Sequence, residues 1–262
     1  MDATLVDTHA HLDHEDFELD REAIVARARD VGVCRIVAVG TTLSSSRECV
    51  RLARQFDCVH AAVGIHPNNA AEAAPADFGS ITELAGDSHV VAIGETGLDR
   101  HWEFTPFDLQ REYFTRHIRL AVEHDLPFIV HMRDCESDVL AALREAHAEY
   151  GDLRGVMHSF TGDAELAEQF LALGLHISFA GMVTFKRSDE LRRCAATIPA
   201  QRLLVETDAP YLSPEPLRKI RRNEPAFVRH TAGCLAEVRG VSFAELARQT
   251  TANALQLFRR GR

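Results

Sequence analysis

Val90-Val91-Ala92-Ile93-Gly94-Glu95-Thr96-Gly97-Leu98-Asp99 reads as an apolar, β-branched run that stops at a carboxylate in a glycine-bearing turn. A strand buried on both faces needs such a run, and a polar group at its end stands out against it. The same shape recurs about every 30 residues, the length of one strand-helix unit. It is found at Leu5 to Leu12, Arg35 to Gly40, Val59 to His66, Val90 to Gly94, Pro127 to His131, Gly155 to Phe160, Leu175 to Gly181 and Leu203 to Thr207. Segments of helical period separate these runs. Thr105 with Asp108, and Ser242 with Glu245, fit the capping spacing, and Asp163 can cap the run Ala164 to Leu173. Eight strand-helix units predict an α/β protein folded as a closed parallel (β/α)8 barrel, with an open doubly wound sheet as the alternative. No linker divides them, so one domain is expected over residues 1–262. The proline-rich stretch Pro210 to Pro225 follows the eighth run and reads as a functional loop.

Composition narrows the function classes. With 262 residues, 46% of them hydrophobic and 26% charged, the chain can bury a sizeable core and is not disordered. No apolar run approaches the roughly 18 residues of a membrane helix, and the start carries no export signal, so a cytoplasmic protein is expected. The six cysteines are scattered without a CxxC pair, which argues against a zinc ribbon and for reduced thiols. A net charge of −10 disfavours coating nucleic acid or an anionic membrane, yet leaves room for a phosphate substrate in a locally positive cleft. Only Lys186 and Lys219 are lysines, so lysine chemistry is excluded from nearly every position. There is no GxGxxG and no P-loop pattern.

The polar residues that interrupt the runs fall at their C-terminal ends, the rim where barrel enzymes build their sites. A period of two puts Asp7, His9 and His11 on one face, and likewise Val91, Ile93 and Glu95, then Ile129, His131 and Arg133, then Leu204, Glu206 and Asp208. Imidazoles and carboxylates converging on one cavity suit divalent metals. His9 and His11 with Asp208 would hold one ion, His131 and His158 a second, and Glu95 would bridge the pair. Two ions sharing a hydroxide would supply a nucleophile at neutral pH for phosphoester displacement. Asp208 takes the ligand and general-base role, Glu95 the bridging catalytic one, while Asp7 and Glu206 sit lower and would orient the histidine rings.

Blander readings stand beside these. One His-x-His pair is expected by chance about once in a chain with this many histidines, so His9-x-His11 gains weight only from the ligand-type residues on other strands. His66, before Pro67, reads either as a phosphate contact or as a loop histidine satisfied by backbone. Arg133 suits an anionic oxygen. Arg218, Lys219, Arg221 and Arg222 form either a solvated charged loop or a substrate contact. His117, His124, His147 and His230 lie in helical stretches and read as packing or surface residues, and neither Cys49 nor Cys135 has an activating partner.

The ordered segments Asp7-Thr8-His9-Ala10-His11-Leu12-Asp13, Gly64-Ile65-His66-Pro67, Gly94 to Asp99, His131-Met132-Arg133-Asp134, His158 to Gly162, Glu206 to Leu212 and Asn223-Glu224-Pro225 resemble the TatD family of metal-dependent deoxyribonucleases, within the amidohydrolase-like barrels. The resemblance spans essentially the whole chain. It implies metal ligands at His9, His11, Glu95, His131, His158 and Asp208, with two divalent ions of magnesium, manganese or zinc. It also implies hydrolysis of DNA, often as a magnesium-dependent exonuclease acting from the 3′ end. DNA is then the expected partner, with no membrane and no obligate protein partner. Two positions depart from the pattern. Leu217 to Asn223 lacks the glycine of an Arg-Gly-Lys run usual there, and Arg100 stands where an aromatic residue often follows Gly-Leu-Asp, adding charge at the rim or removing a base-stacking platform. Two other functions are compatible with the residues. One is a metal-dependent amidohydrolase, lactonase or phosphotriesterase acting on a small molecule, although many such enzymes bridge their metals through a modified lysine. The other is a non-catalytic, metal-stabilised nucleic-acid-binding protein.

Overall fold

A computed structural model describes residues 4–259; residues 1–3 and 260–262, inside the span expected for the single domain, lie outside the described residues. The expected strands form a single sheet ordered β1 to β8 in chain sequence: β1 (Leu5–Ala10), β2 (Val33–Val39), β3 (Val59–Val63), β4 (Val90–Asp99), β5 (Phe128–Arg133), β6 (Gly155–Met157), β7 (His176–Phe179) and β8 (Leu203–Val205). Every neighbouring pair is parallel. A parallel bridge from Ala10 to Ala209 joins the two ends, with Asp208 N donating to His9 O at 2.9 Å and His11 N to Ala209 O at 2.8 Å. The sheet therefore closes as a barrel, and closes at the rim where the functional residues stand. An open doubly wound sheet would reverse its strand order at a switch point, and this one does not.

Helices follow the strands: α1 (Arg21–Asp30), α2 (Leu43–Gln55), α3 (Asp77–Ala85), α4 (Phe107–Glu123), α5 (Glu136–Tyr150), α6 (Ala164–Ala172), α7 (Asp189–Thr197), α8 (Val228–Arg239) and α9 (Phe243–Leu257). Two of the expected caps form: Ser242 accepts from Glu245 N, and Asp163 accepts from Leu166 N. Thr105 does not cap α4. Pro106 intervenes as the capping residue with its φ at −53°, and the Thr105 hydroxyl instead accepts from Ala71 N at 3.2 Å. The segment between β8 and α8 contains no helix or strand longer than one turn, as the proline content implies.

Val37, Val39, Ala62, Val91, Ile129, Val156 and Leu204 form an inner cluster, met by Ala254, Leu257 and Phe258 at the end of α9. Ile36, Ala38, Val59, Val63, Phe128, Val130 and Val205 pack outward among the helices. Strict alternation fails in two strands. In β4, Val91 lies in the inner cluster and Ile93 in the outer one, because the register shifts between Ala61 and Ala62 on one side and between Ile93 and Thr96 on the other. In β1, Val6 is inner while Leu5 and Ala10 are outer, with shifts at Leu5/Val6 and Asp7/Ala10. Each irregularity re-aims a side chain at the rim. Gly97 permits the one in β4: its φ is 139°, and a Cβ there would stand 2.0 Å from His131 O.

Candidate metal centre

Ten rim residues were expected to converge, and the structure brings eight of them around one cavity of about 710 Å³. His11, His66, Glu95, His131, Arg133, His158 and Asp208 line it, with His9 buried beside them. Asp7 and Glu206 lie behind, fully buried. Five strands or their ends supply the six expected ligands, as the barrel requires.

Glu95 occupies the centre, and its two carboxylate oxygens face different donor sets. Oε2 stands 3.4 Å from His9 Nε2 and 3.7 Å from His11 Nε2. Asp208 Oδ1 completes that set at 3.9 Å from His9 Nε2 and 3.5 Å from His11 Nε2, and the two imidazole nitrogens are 3.3 Å apart. Four donors held about 2.1 Å from one ion in a tetrahedron would stand about 3.4 Å from one another, so this spacing fits a divalent cation. Oε1 lies 2.9 Å from His131 Nδ1, 2.9 Å from His158 Nε2 and 3.5 Å from His66 Nε2.

The second nitrogen of each ring decides what the first can do. His11 Nδ1 donates to Val39 O at 3.0 Å. Behind His158, Glu206 Oε1 lies 3.2 Å from Nδ1, and behind His131, Asp99 Oδ2 lies 3.1 Å from Nε2. An acceptor behind the ring holds one proton there, so that in the neutral ring the cavity-facing nitrogen can offer its lone pair to a cation, and in the charged ring it donates to Glu95 instead. His66 is the reverse. Its Nδ1 accepts from Asn68 N at 3.1 Å, so in the neutral ring the proton sits on Nε2 and points a donor into the cavity. Such a ring suits an anionic oxygen better than an ion.

Electrostatics follow the partners of each ring, and here His9 falls with His66. Burial opposes charge on His131 and His158, yet hydrogen bonds and charges from Asp99, Glu95 and Glu206 hold both rings above the ordinary imidazole value. Burial likewise opposes charge on His11, and Asp208 and Glu95 raise it to about 9. Burial would also raise Glu95 and Asp208, but the surrounding imidazoles pull both carboxyls below their ordinary values. For His9 and His66 burial prevails and lowers the value. Buried carboxylates at one mouth require positive partners, and imidazolium supplies them where a cation would otherwise stand.

Two expectations change. Asp7 orients no histidine ring: its carboxylate accepts from Thr207 N at 2.9 Å, Thr207 Oγ1 at 2.6 Å and His9 N at 3.4 Å, and burial raises its pKa to about 8. The register shift in β1 turns it toward the segment after β8, so it staples the barrel seam instead, while His9 Nδ1 has no hydrogen-bond partner. The basic loop is also less available than its charge suggests. Arg222 pairs with Asp20 at 2.8 Å, and Arg218 lies 3.9 Å over the Phe185 ring. Arg133, by contrast, makes no ion pair among the described residues and lines the cavity.

Asp99, in the Gly94 to Asp99 segment, takes a role that the sequence pattern does not assign. It anchors His131, and it also accepts from Asn68 Nδ2 at 2.9 Å and from the backbone of His101 and Trp102. The signal available was its place on β4 beside His131 on β5. His117 packs as expected, accepting from Ile65 N at 3.0 Å and fixing the turn that carries His66.

Residues 6–259 match the family described as TatD related DNase. An uncharacterized metal-dependent hydrolase of Bacillus subtilis, YabD, is 42% identical over 97% of this chain and 99% of its own. A protein of Cronobacter sakazakii named 3'-5' ssDNA/RNA exonuclease TatD is 38% identical over 97% of each chain. The crystal structure of YjjV, a TatD homolog from Escherichia coli K12, superposes with a TM-score of 0.91 at 29% identity, covering 98% of both chains.

Proposed function

The chain belongs to the TatD-related DNase family, a family of metal-dependent hydrolases acting on ester bonds, and from that premise we propose that it hydrolyses single-stranded DNA as a 3′-5′ exonuclease with two divalent cations. The observation that carries this reading is the division of the Glu95 oxygens between two donor sets. His9, His11 and Asp208 would hold one cation, His131 and His158 the other, and Glu95 would bridge them. When bound, the cations lower the pKa of a water and neutralise charge on the phosphoryl group. Histidine-rich ligation favours zinc or manganese over magnesium, which elemental analysis of the isolated protein decides.

The protein's own groups do the rest. Asp208, kept ionised by His11, accepts the proton of the attacking water. His66 Nε2–H and the Arg133 guanidinium take the non-bridging phosphate oxygens. Glu206 and Asp99 hold the rings of His158 and His131 in register. Neither Lys186 nor Lys219 lines the cavity, so the small-molecule reading lacks its lysine bridge. All six cysteines are free thiols, which accords with a reducing cytoplasm as the working compartment. No described helix is long and apolar enough to cross a membrane. Purified protein with Mg²⁺ or Mn²⁺ should shorten a 5′-labelled single-stranded oligonucleotide, and Glu95→Ala should reduce turnover to background. Wild-type turnover in that variant would refute the mechanism.

A further inference from the structure

Among the described residues, Trp102 and Phe104 are large aromatic side chains left 45% and 64% exposed, and they stack on each other with ring centroids 5.4 Å apart and planes 14° from parallel. Trp102 lines the same cavity as the candidate ligands. Its backbone N–H donates to Asp99 Oδ1 at 3.1 Å, and the other oxygen of that carboxylate anchors His131. The Trp102 backbone is thus tied through the Asp99 side chain to the candidate metal centre. Arg133 places its guanidinium 5.8 Å from the indole centroid.

Arg100, which stands at the position usually aromatic, is occupied elsewhere. It forms two hydrogen bonds with Asp138, at 2.9 and 3.1 Å, and lies 3.5 Å over the Phe107 ring. It offers no platform. A flat, exposed surface occurs two residues later, at Trp102 backed by Phe104, whereas Tyr211, the other exposed aromatic lining the cavity, stands edge-on to His11 and His14 and has no stacked ring behind it. Among the described residues Arg133 is the one arginine or lysine lining the cavity, and the chain carries a net −10, so basic side chains contribute little to gripping the strand.

We propose that Trp102 is the stacking platform for the nucleobase beside the scissile phosphate, with Phe104 supporting the indole from behind and Arg133 holding the adjacent phosphate. This rests on the nuclease reading above and names how that site grips its substrate. Base–aromatic stacking contributes about 1–3 kcal/mol and tolerates every base, so affinity would come from a π-face that any terminal nucleotide can supply.

Trp102 is the chain's sole tryptophan, which gives a direct readout. A phosphorothioate trinucleotide added to the wild-type protein in Mg²⁺ should quench the intrinsic fluorescence, and the same backbone built from abasic residues should not. In steady-state assays Trp102→Ala should raise KM for a single-stranded oligonucleotide about 5- to 150-fold with kcat nearly unchanged. Trp102→Phe should recover most of that loss. An oligonucleotide ending in abasic residues should show no difference between wild type and Trp102→Ala. Absence of quenching, or equal KM changes on base-bearing and abasic substrates, overturns the platform while leaving the nuclease reading intact. Quenching without any cleavage supports the platform and sinks the nuclease reading.

Discussion

Buried, doubly hydrogen-bonded imidazoles occur in two regions of the molecule and behave oppositely. At the barrel mouth, His131 lies between Glu95 and Asp99, and His158 between Glu95 and Glu206, and both rings are held above the ordinary imidazole value. Between α4 and the end of β3, His117 donates from Nδ1 to Tyr113 O at 2.7 Å and accepts at Nε2 from Ile65 N, and burial lowers it to about 4. Burial is alike in both places, so the partner decides: a carboxylate rewards the charged ring, whereas a backbone N–H requires a lone pair and so a neutral one. His66 sorts with His117 although it stands at the mouth, because its Nδ1 also accepts a backbone N–H. The comparison therefore separates His131 and His158, whose carboxylate partners favour charge, from rings fixed as structural or donor groups; His9, lowered by burial and with no partner at Nδ1, belongs to neither set. An ion-loaded crystal structure with His66 Nε2 coordinating an ion would break it.

The largest effect should come from Asp208, which the proposal makes both ligand and proton acceptor. Asp208→Asn should lower kcat about 10²- to 10⁴-fold with KM little changed; a loss below tenfold would move the base elsewhere. A smaller effect is expected from the acids behind the rings. Asp99→Asn and Glu206→Gln should each weaken cation affinity or activity about 10- to 100-fold. Because the only candidate ligand rings they anchor are His131 and His158, calorimetric titration should show one of two bound equivalents weakened, and excess metal should restore much of the rate. Equal weakening of both equivalents would mean that the two donor sets are not separate.

How far the sequence carried this follows from what each feature depends on. The barrel is legible because eight apolar runs at one spacing are a local pattern, and the candidate ligands because a histidine or carboxylate at the end of such a run stands out by type. Glu206 stands behind the His158 ring, where the period of two puts it, because β8 keeps its alternation from Leu204. Asp7 and Ile93 were misjudged for the opposite reason: register shifts in β1 and β4 move side chains off the period-two face, and a shift depends on the neighbouring strand. Asp99 went without a role because its partner lies across the sheet on β5. Trp102 is not legible in the sequence because only the folded rim pairs Arg100 away and leaves the indole exposed beside the cavity.

The smallest effect tests the other side of the comparison, away from the metal centre. His117 titrates near 4 when folded and near 6.5 when unfolded, so the folded protein binds fewer protons between those values. Its contribution to stability is complete above pH 6.5 and is lost as the pH falls toward 4. His60 and His176, also lowered to about 4 by burial, act with the same sign and steepen the loss. His117→Gln keeps an acceptor for Ile65 N without a titrating ring. Urea denaturation of the two proteins at pH 7 and pH 5 should therefore show the wild type losing about 1–2 kcal/mol more than the variant over that interval. If both lose the same amount, Ile65 N does not depend on the neutral ring, and partner chemistry fails as the rule that separates His117 from His131.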